Sequence, residues 1–277
     1  MPELPEVETS CRGITPHIQN QKIQRVTVRQ QQLRYPVSAQ ITTKKLKQQQ
    51  VTQVSRRGKY ILLELDHTDW LMIHLGMSGN LRILEGTTPA GKHDHIEIQF
   101  ANQKILRLND PRRFGCFLWT DDLANHKLLK HLGIEPLTRQ FNASYLYQAA
   151  QSRKIAIKTL LMDSQVVVGV GNIYANEALF QTGIHPSTYC HTLTTNQCAE
   201  LTRIIKAILK QAIKAGGTSL KDFTNSEGKP GYFKQKLFVY GRAKEKCLTC
   251  QEEIQQFRQN QRSSFFCPCC QPSPATD

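Results

Sequence analysis

Hydrophobic and polar positions change their period along the chain, and each change predicts a different kind of structure. Near the N-terminus, apolar residues recur at helical spacing, at Val7, Cys11, Ile14 and Ile18. Pro5 stands where the first turn of a helix tolerates proline. This pattern predicts a helix over residues 5–18.

From about residue 22 to residue 120 the period shortens. Short runs rich in Val, Ile, Leu and aromatic residues are separated by Gly, Asn, Asp and Pro, which is typical of strands joined by turns. The runs are KIQRVTVR, GKYILLEL, WLMIHLGM, HIEIQF, KILRL and RFGCFLW. Their spacing favours an antiparallel sandwich or barrel.

Helical periodicity returns over residues 125–215. It is clearest in one set of apolar residues, followed by two helix-ending glycines: Leu201, Ile204, Ile205, Ile208, Leu209 and Ile213, then Gly216 and Gly217. Residues 218–240 combine Gly, Pro and Ser with Lys and Phe and predict a mobile loop. A chain of 277 residues can form two modest cores and a small appendage.

The predicted fold class is therefore α+β, in three parts. Residues 1–124 form a helix and an antiparallel β-sandwich, and residues 125–240 form a helical domain with a loop. Residues 241–277 form a small cysteine-rich module.

The charge of the chain indicates a polyanionic partner. Lys and Arg total 36 against 22 Asp and Glu, for a formal net charge of +14. Such an excess favours nucleic acid over a membrane surface. The first sixty residues hold eleven basic side chains and three acidic ones, Glu3, Glu6 and Glu8, all close to the N-terminus. No long apolar run or export signal is present, so we expect a cytosolic or nucleoid protein.

The cysteines favour a metal site over disulfides. Nine cysteines are present, five of them in the last 31 residues. The pattern C-x2-C, sixteen residues, C-x2-C lets two turns arrange four thiolates around one Zn²⁺. Two alternating stretches between the pairs predict a hairpin with its tip near residues 259–262. The predicted ligands are Cys247, Cys250, Cys267 and Cys270, while Cys269 could compete as a ligand or be an oxidation-prone bystander.

Pro2 offers a possible nucleophile. Removal of Met1 would expose a secondary amine, a type of group whose pKa is ~7.7–8.0. Such an amine can attack an aldehyde-like carbon and form an iminium, as a catalytic lysine does. Glu3 stands next to it as a candidate proton shuttle.

Six motifs together resemble one family. They are MPELPEVETS, RRGKY at 56–60, HLGMSG at 74–79, NDPRRFG at 109–115, GVGNIYANEALF at 169–180 and the four-cysteine tail. In this order, over essentially the whole chain, they look like the bacterial formamidopyrimidine-DNA glycosylases. The resemblance implies an N-terminal helix with a β-sandwich, a helix-two-turn-helix domain and a zinc-bound hairpin.

The same resemblance implies an activity and its partners. It predicts a bifunctional glycosylase and abasic-site lyase of base excision repair that removes 8-oxoguanine and formamidopyrimidines and then cleaves the strand by β,δ-elimination. The expected partner is damaged double-stranded DNA. We expect a monomer with one structural zinc ion, no small-molecule cofactor and no membrane association.

The resemblance also implies roles for individual residues. Pro2 would be the nucleophile, Glu3 its acid/base partner, Lys59 a proton-transfer lysine and Arg262 the arginine of the second elimination. Three residues would fill the hole left by a flipped base: Met77, Arg112 and Phe114. The Asp110-Pro111 turn favours an outward-projecting loop for two of them.

Contacts to DNA phosphates are expected from five residues: His74, His93, Arg153, Lys158 and Asn172. For Asn172 the segment GVGN adds a local argument, because glycine amides before a helix can bind an anion. The segments GGTSLKDF and SEGKPGYF resemble the loop that covers the everted base. Which group reads the lesion is left open.

Two other classes compete with this hypothesis. A non-enzymatic zinc-ribbon protein would account for the charge and the cysteines but not for HLGMSG or NDPRRFG. An endonuclease VIII-type glycosylase would prefer oxidised pyrimidines. Against that type stand Leu4 in PELPEV and the trio of Met77, Arg112 and Phe114.

Overall fold

A computed structural model describes residues 2–86, 88–217 and 237–274, and only the backbone at Gln40 and Ile41. The described residues form two compact units. Unit 1 contains the chain up to His131 together with residues 213–217, and unit 2 contains Leu132–Ala212 with the described residues from Leu237 onward. Met1 and most of the predicted loop, residues 218–236, lie outside the described residues, and so do the suggested lesion-covering segments, SEGKPGYF and GGTSLKDF, apart from Gly216 and Gly217.

Unit 1 is a helix on a sandwich of two antiparallel sheets. Its elements are α1 (Leu4–Ile18), β1 (Ile23–Val28), α2 (Ala39–Leu46), β2 (Val51–Arg57), β3 (Tyr60–Leu65), β4 (Trp70–His74), β5 (Asn80–Glu85), β6 (Asp94–Phe100), β7 (Lys104–Asn109) and β8 (Cys116–Thr120). The strand orders are β1-β6-β7-β5 and β2-β3-β4-β8. Every neighbouring pair is antiparallel, which confirms the predicted sandwich.

One apolar core joins α1 to both sheets. Ile14 and Ile18 of α1, Leu63 of β3 and Ile98 of β6 are all buried in the same cluster. The helical spacing of the first segment is therefore explained by burial of one face of α1. This core supports the loops at the ends of the strands.

Some elements of unit 1 were not predicted from the sequence. All six predicted apolar runs contain a strand, but β2, β5 and α2 were missed. In β2 only Val51 is fully buried, and the other residues are exposed or half-buried. Because such a strand lacks a clear apolar alternation, its sequence does not reveal it.

Unit 2 combines helices with a hairpin. Its elements are α3 (Ala143–Gln151), α4 (Ile157–Met162), α5 (Asn172–Gln181), α6 (Thr195–Lys214, whose last residues lie in unit 1), β9 (Gln255–Gln259) and β10 (Arg262–Phe266). The hairpin of β9 and β10 is antiparallel, as predicted. Residues 121–142 form turns and bends, so the helical part begins later than residue 125. Within the described ranges, no helix has both the length and the hydropathy that a membrane span requires.

The loop prediction was wrong for its last residues, 237–240. Leu237 and Val239 are buried there, and the backbone N–H groups of residues 238–240 all donate to the carboxylate of Glu177. Alternating apolar residues and a buried carboxylate on α5 anchor this segment. The anchoring residue lies about sixty positions earlier in the chain, so local composition could not show it.

Candidate functional site

The N-terminal turn of α1 holds two buried carboxylates. Glu3 is the N-cap residue, and its side chain accepts the backbone N–H of Glu6. The Glu6 carboxylate in turn accepts the N–H of Glu3 at 2.8 Å, completing a capping box. Both side chains are only 2% exposed, and Pro2 beside them is buried as well. Glu3 and Glu6 are thus a buried structural part of unit 1, and the positive end of the helix dipole favours their negative charge.

A glycine from the far end of unit 1 approaches this turn. A Cβ atom placed on Gly217 would lie 3.2 Å from both Cγ and Oε1 of Glu6, and its φ of +84° is one that L side chains rarely adopt. Gly217 therefore does more than end α6: it also lies against the side chain of Glu6, a contact that the sequence did not indicate. Sequence reasoning also missed the structural role of Glu6.

Glu8 connects α1 to the RRGKY turn. Its carboxylate accepts hydrogen bonds from Arg12 at 2.8 Å and from Arg56 at 3.0 Å. Burial raises the pKa of Glu8, but the hydrogen bonds from Arg12 and Arg56 outweigh this effect and lower it below its ordinary value. Arg56 also donates to the carbonyl of Gly58 at 2.7 Å, so the turn before Lys59 is tied to α1.

His74 stands at the end of β4, opposite the strand that begins directly after Lys59. Tyr60 pairs with His74 across β3 and β4. Burial lowers the pKa of His74 to about 4, and the positive charges of Lys59 and Arg34 lower it further. The imidazole is therefore neutral at pH 7, and its Nδ1 accepts the N–H of Gly76 at 2.9 Å. The proton of the ring must then be on Nε2.

Two loops of unit 1 are locked together around one buried aspartate. Asp110 accepts a hydrogen bond from Ser78 Oγ at 2.7 Å and another from the N–H of Gly115 at 2.8 Å. The N–H of Arg112 donates to Ser78 Oγ at 3.1 Å. A Cβ on Gly76 would lie 2.4 Å from the carbonyl carbon of Phe114, so only glycine permits this approach. The HLGMSG and NDPRRFG loops are therefore a single rigid feature.

That feature carries an exposed apolar pair. Met77 is 38% exposed and Phe114 is 45% exposed, although large apolar residues usually lie inside. The guanidinium of Arg112 lies 4.9 Å from the centre of the Phe114 ring. The structure thus brings Met77, Arg112 and Phe114 to one surface, as side chains of the kind that can enter a stack of bases.

His93 contacts the same loops through its backbone. Its carbonyl accepts the N–H of Asp110 at 3.0 Å, and its half-buried ring lies 6.3 Å from that of His95. His95 Nε2 is in turn 2.9 Å from the carbonyl of Asp110. The predicted phosphate contacts of His93 and His74 stay predictions.

In unit 2, two of the predicted residues meet at the hairpin. Lys158 Nζ donates to Ser263 O at 2.9 Å, and Asn172 Nδ2 donates to the same oxygen at 3.0 Å. Arg262, the preceding residue, is exposed at the start of β10. Arg153 lies apart from these contacts and donates to the carbonyl of Ala149 at 2.9 Å. The phosphate contacts expected of Arg153, Lys158 and Asn172 also stay predictions.

The four predicted metal ligands form one cluster. The sulfur atoms of Cys247, Cys250, Cys267 and Cys270 all lie within 4.8 Å of one another. Two of the pairs are 3.4 Å and 3.9 Å apart. A tetrahedral zinc site with Zn–S bonds of ~2.3 Å has sulfur–sulfur edges of roughly 3.8 Å. The cysteines are therefore positioned for one structural zinc ion, and Cys269 is exposed outside the group.

Comparison with known sequences gives matches over nearly the whole chain. The family model described as "Formamidopyrimidine-DNA glycosylase N-terminal domain" matches residues 1–117. The corresponding H2TH domain model matches residues 132–224, and a "Zinc finger found in FPG and IleRS" matches residues 244–272. A formamidopyrimidine-DNA glycosylase of Proteus mirabilis is 53% identical over 277 residues and 100% of both chains. One from Escherichia coli is 53% identical over 98% of this chain and 100% of its own.

Comparison with solved structures also gives matches over nearly the whole chain. A mutant of the Lactococcus lactis enzyme in complex with DNA containing Fapy-dG has a TM-score of 0.91 and 33% identity, covering 98% of this chain and 100% of its own. The same enzyme with abasic-site DNA gives a TM-score of 0.89 at 34% identity, with the same coverage. The MutM protein of Thermus thermophilus gives 0.88 at 31% identity, covering 99% and 100%.

Proposed function

The chain belongs to the formamidopyrimidine-DNA glycosylase family and is a DNA glycosylase of base excision repair, and on that premise we propose that it excises oxidised purines and cleaves the resulting abasic strand. The proposed substrates are 8-oxoguanine and formamidopyrimidines in duplex DNA. The L. lactis relative was solved with DNA containing Fapy-dG and with abasic-site DNA, which are a substrate and an intermediate of this scheme.

Pro2 is the proposed nucleophile. Once Met1 has been removed, the Pro2 nitrogen attacks C1′ of the damaged nucleotide. A C–N bond forms while the glycosidic bond breaks, and the base leaves with a proton taken up from water. The nitrogen then loses its own proton as the sugar ring opens, which gives a Schiff base. The observation that carries this proposal is the buried capping turn, which holds Glu3 rigidly beside Pro2.

Glu3 is the proposed proton shuttle. Its carboxylate can accept the proton that the Pro2 nitrogen loses and, as the carboxylic acid, pass it to the ring oxygen of the sugar as the ring opens, because it follows the nucleophile directly and is shielded from water. Its hydrogen bond to the N–H of Glu6 limits its rotation. A catalytic acid needs this kind of fixed geometry.

Strand cleavage proceeds by two eliminations in this proposal. Loss of a proton from C2′ of the Schiff base expels the 3′ phosphate, and a second elimination expels the 5′ phosphate. We assign Lys59 to proton transfer in the first part and Arg262 to the second. The neutral His74 is suited to donate its Nε2–H to a phosphate near Lys59, since its Nδ1 is already an acceptor.

The exposed trio is proposed to replace the flipped base. Met77 and Phe114 are apolar and project from two loops that are joined through Ser78 and Asp110. Arg112 can hydrogen-bond to the unpaired base opposite. We further propose that the protein acts as a monomer on chromosomal DNA in the bacterial cytosol. Its net charge of +14 favours such association.

A direct comparison of substrates tests the specificity. Excision of 8-oxoguanine opposite cytosine is expected to be much faster than excision of thymine glycol under single-turnover conditions. A clear preference for thymine glycol would instead support the endonuclease VIII-type alternative. No excision of either base, with DNA binding intact, would support the zinc-ribbon alternative.

A further inference from the structure

Two helix side chains hold the backbone of β10 directly after Arg262. Lys158 of α4 donates to Ser263 O at 2.9 Å, and Asn172 of α5 donates to the same oxygen at 3.0 Å. A carbonyl oxygen has two lone pairs, so these bonds use its full accepting capacity. The orientation of the peptide that joins Ser263 to Ser264, the second peptide after Arg262, is fixed as a result.

Lys158 is oriented toward the hairpin and away from solvent. Its side chain is only 2% exposed, and its ammonium also donates to Ser264 Oγ at 2.7 Å. Two of its three protons are therefore given to β10. Burying an ammonium group is costly unless such partners compensate, so the position of Lys158 is explained by the hairpin. A lysine that binds a phosphate on the protein surface would be oriented outward instead.

Further contacts hold the hairpin on both sides of Arg262. Asn176, fully buried on α5, accepts the N–H of Phe265 at 2.8 Å. Before the arginine, Asn260 Nδ2 donates to Thr159 Oγ1 of α4 at 2.8 Å. Arg262 is exposed between two stretches of backbone that α4 and α5 anchor. All of these residues belong to unit 2.

We infer that Lys158 and Asn172 are positioning residues for Arg262, and that Lys158 acts on strand cleavage through the hairpin backbone and not by contact with a DNA phosphate. The inference rests on the proposed role of Arg262 in the second elimination. A small displacement of a catalytic group is enough to matter, since ~1 Å can cost on the order of a hundredfold in rate. The first steps, assigned to Pro2 and Glu3, do not need this arrangement.

Lys158→Met tests the inference, because methionine preserves much of the side-chain volume but cannot donate. With the full-length zinc-loaded protein and duplex DNA containing an abasic site, the ratio of β,δ-product to β-product is expected to fall by about tenfold. Borohydride trapping of the Schiff base should stay within about twofold. Lys154→Met is the matched control, since Lys154 is exposed and its loss removes the same charge.

The salt dependence of DNA binding separates positioning from phosphate contact. The logarithm of the DNA association constant falls linearly with the logarithm of the salt concentration. Loss of one phosphate contact makes this slope less steep by ~0.9, whereas loss of a positioning residue leaves it unchanged. We expect an unchanged slope for Lys158→Met. A reduced slope with an unchanged product ratio would overturn the inference and restore the phosphate assignment.

Ser264→Ala decides the question if Lys158→Met fails to fold or loses zinc. This variant removes one acceptor of Lys158 but keeps its charge. A smaller fall in the same product ratio is expected, and no fall in a folded, zinc-loaded Ser264→Ala would overturn the inference. Failure of the proposed function can be told apart from failure of this inference, because in the first case the wild-type protein itself would give no trapped adduct.

Discussion

The two units place their functional residues on very different supports. In unit 1 the loops that carry Met77 and Phe114 rest on a sandwich with one large apolar core. In unit 2 the zinc hairpin has a small cluster in which two of six buried residues are themselves metal ligands, Cys247 and Cys267. Burial of apolar surface stabilises the first, and metal binding with buried polar contacts stabilises the second. Mutations should therefore separate function from stability in unit 1 but not in the hairpin.

Removal of zinc should have the largest effect. Structural zinc in small domains contributes ~10–16 kcal/mol of apparent binding free energy, far more than this cluster can replace. Cys270→Ser is expected to lose zinc, order in the hairpin and strand cleavage, as measured by metal analysis, hydrogen exchange of residues 255–266 and product gels. Cys269→Ser is the matched control and should keep one zinc per chain. Equal zinc content in both variants would contradict this account of the cluster.

Loss of the Glu177 carboxylate should have the next largest effect. Glu177 is 1% exposed and accepts three backbone N–H groups at 2.8–3.0 Å. Burial raises the pKa of Glu177, and the hydrogen bonds from Phe238, Tyr240 and Val239 oppose this only in part. Glu177→Ala is expected to lower the free energy of unfolding by about 3 kcal/mol, because buried donors lose their acceptor.

Denaturant unfolding measures this change, and Glu177→Gln serves as the control. The amide keeps one oxygen that can still accept hydrogen bonds, so Glu177→Gln should lower the free energy of unfolding by less than Glu177→Ala does. Equal stability of the alanine variant and the wild type would show that the anchoring contacts are dispensable.

In unit 1, by contrast, a substitution in the exposed trio should reduce activity and leave the free energy of unfolding nearly unchanged. Phe114→Ala removes an exposed ring, so the free energy of unfolding should change by no more than about 0.5 kcal/mol. Single-turnover excision of 8-oxoguanine is expected to fall by at least about tenfold, since the wedge helps to offset the few kcal/mol that base flipping costs. A loss of stability as large as that of Glu177→Ala would remove the contrast between the two units.

Protonation of His74 should have the smallest effect at neutral pH, because it appears only in acid. Burial, with the charges of Lys59 and Arg34, lowers the pKa of His74 to about 4 from an ordinary 6.5. A lowered pKa means that the unfolded chain takes up the proton first. The stability that neutral His74 contributes is thus fully present above pH 6.5 and is lost as the pH falls toward 4. NMR titration should show a neutral ring at pH 6, with the Nε2–H tautomer, and a protonated ring there would contradict this environment.

The sequence predicted what depends on local pattern. The helix at residues 5–18, the six strand-forming runs and the four-cysteine cluster follow from period and spacing alone. The contacts that make the site rigid join distant residues, such as Ser78 to Asp110 and Glu177 to Val239. No local signal marks them.

Lys158 illustrates the same limit. Its helix, α4, has only six residues and is too short to reveal which face is buried. The family resemblance implied a phosphate contact for this lysine and no local pattern spoke against it, whereas its hydrogen bonds are made to β10. Family resemblance assigned residues to the site, but it could not show which of them contact DNA and which position another residue.

The central claim is that the Pro2 nitrogen forms the covalent intermediate, and peptide mapping of the trapped adduct tests it most directly. The mature protein is incubated with 8-oxoguanine duplex and borohydride, digested and analysed by mass spectrometry. We predict that the deoxyribose remnant is attached to the N-terminal peptide at Pro2, and that Pro2→Gly greatly reduces its yield. An adduct on Lys59 or another lysine, with Pro2 unmodified, would contradict the claim.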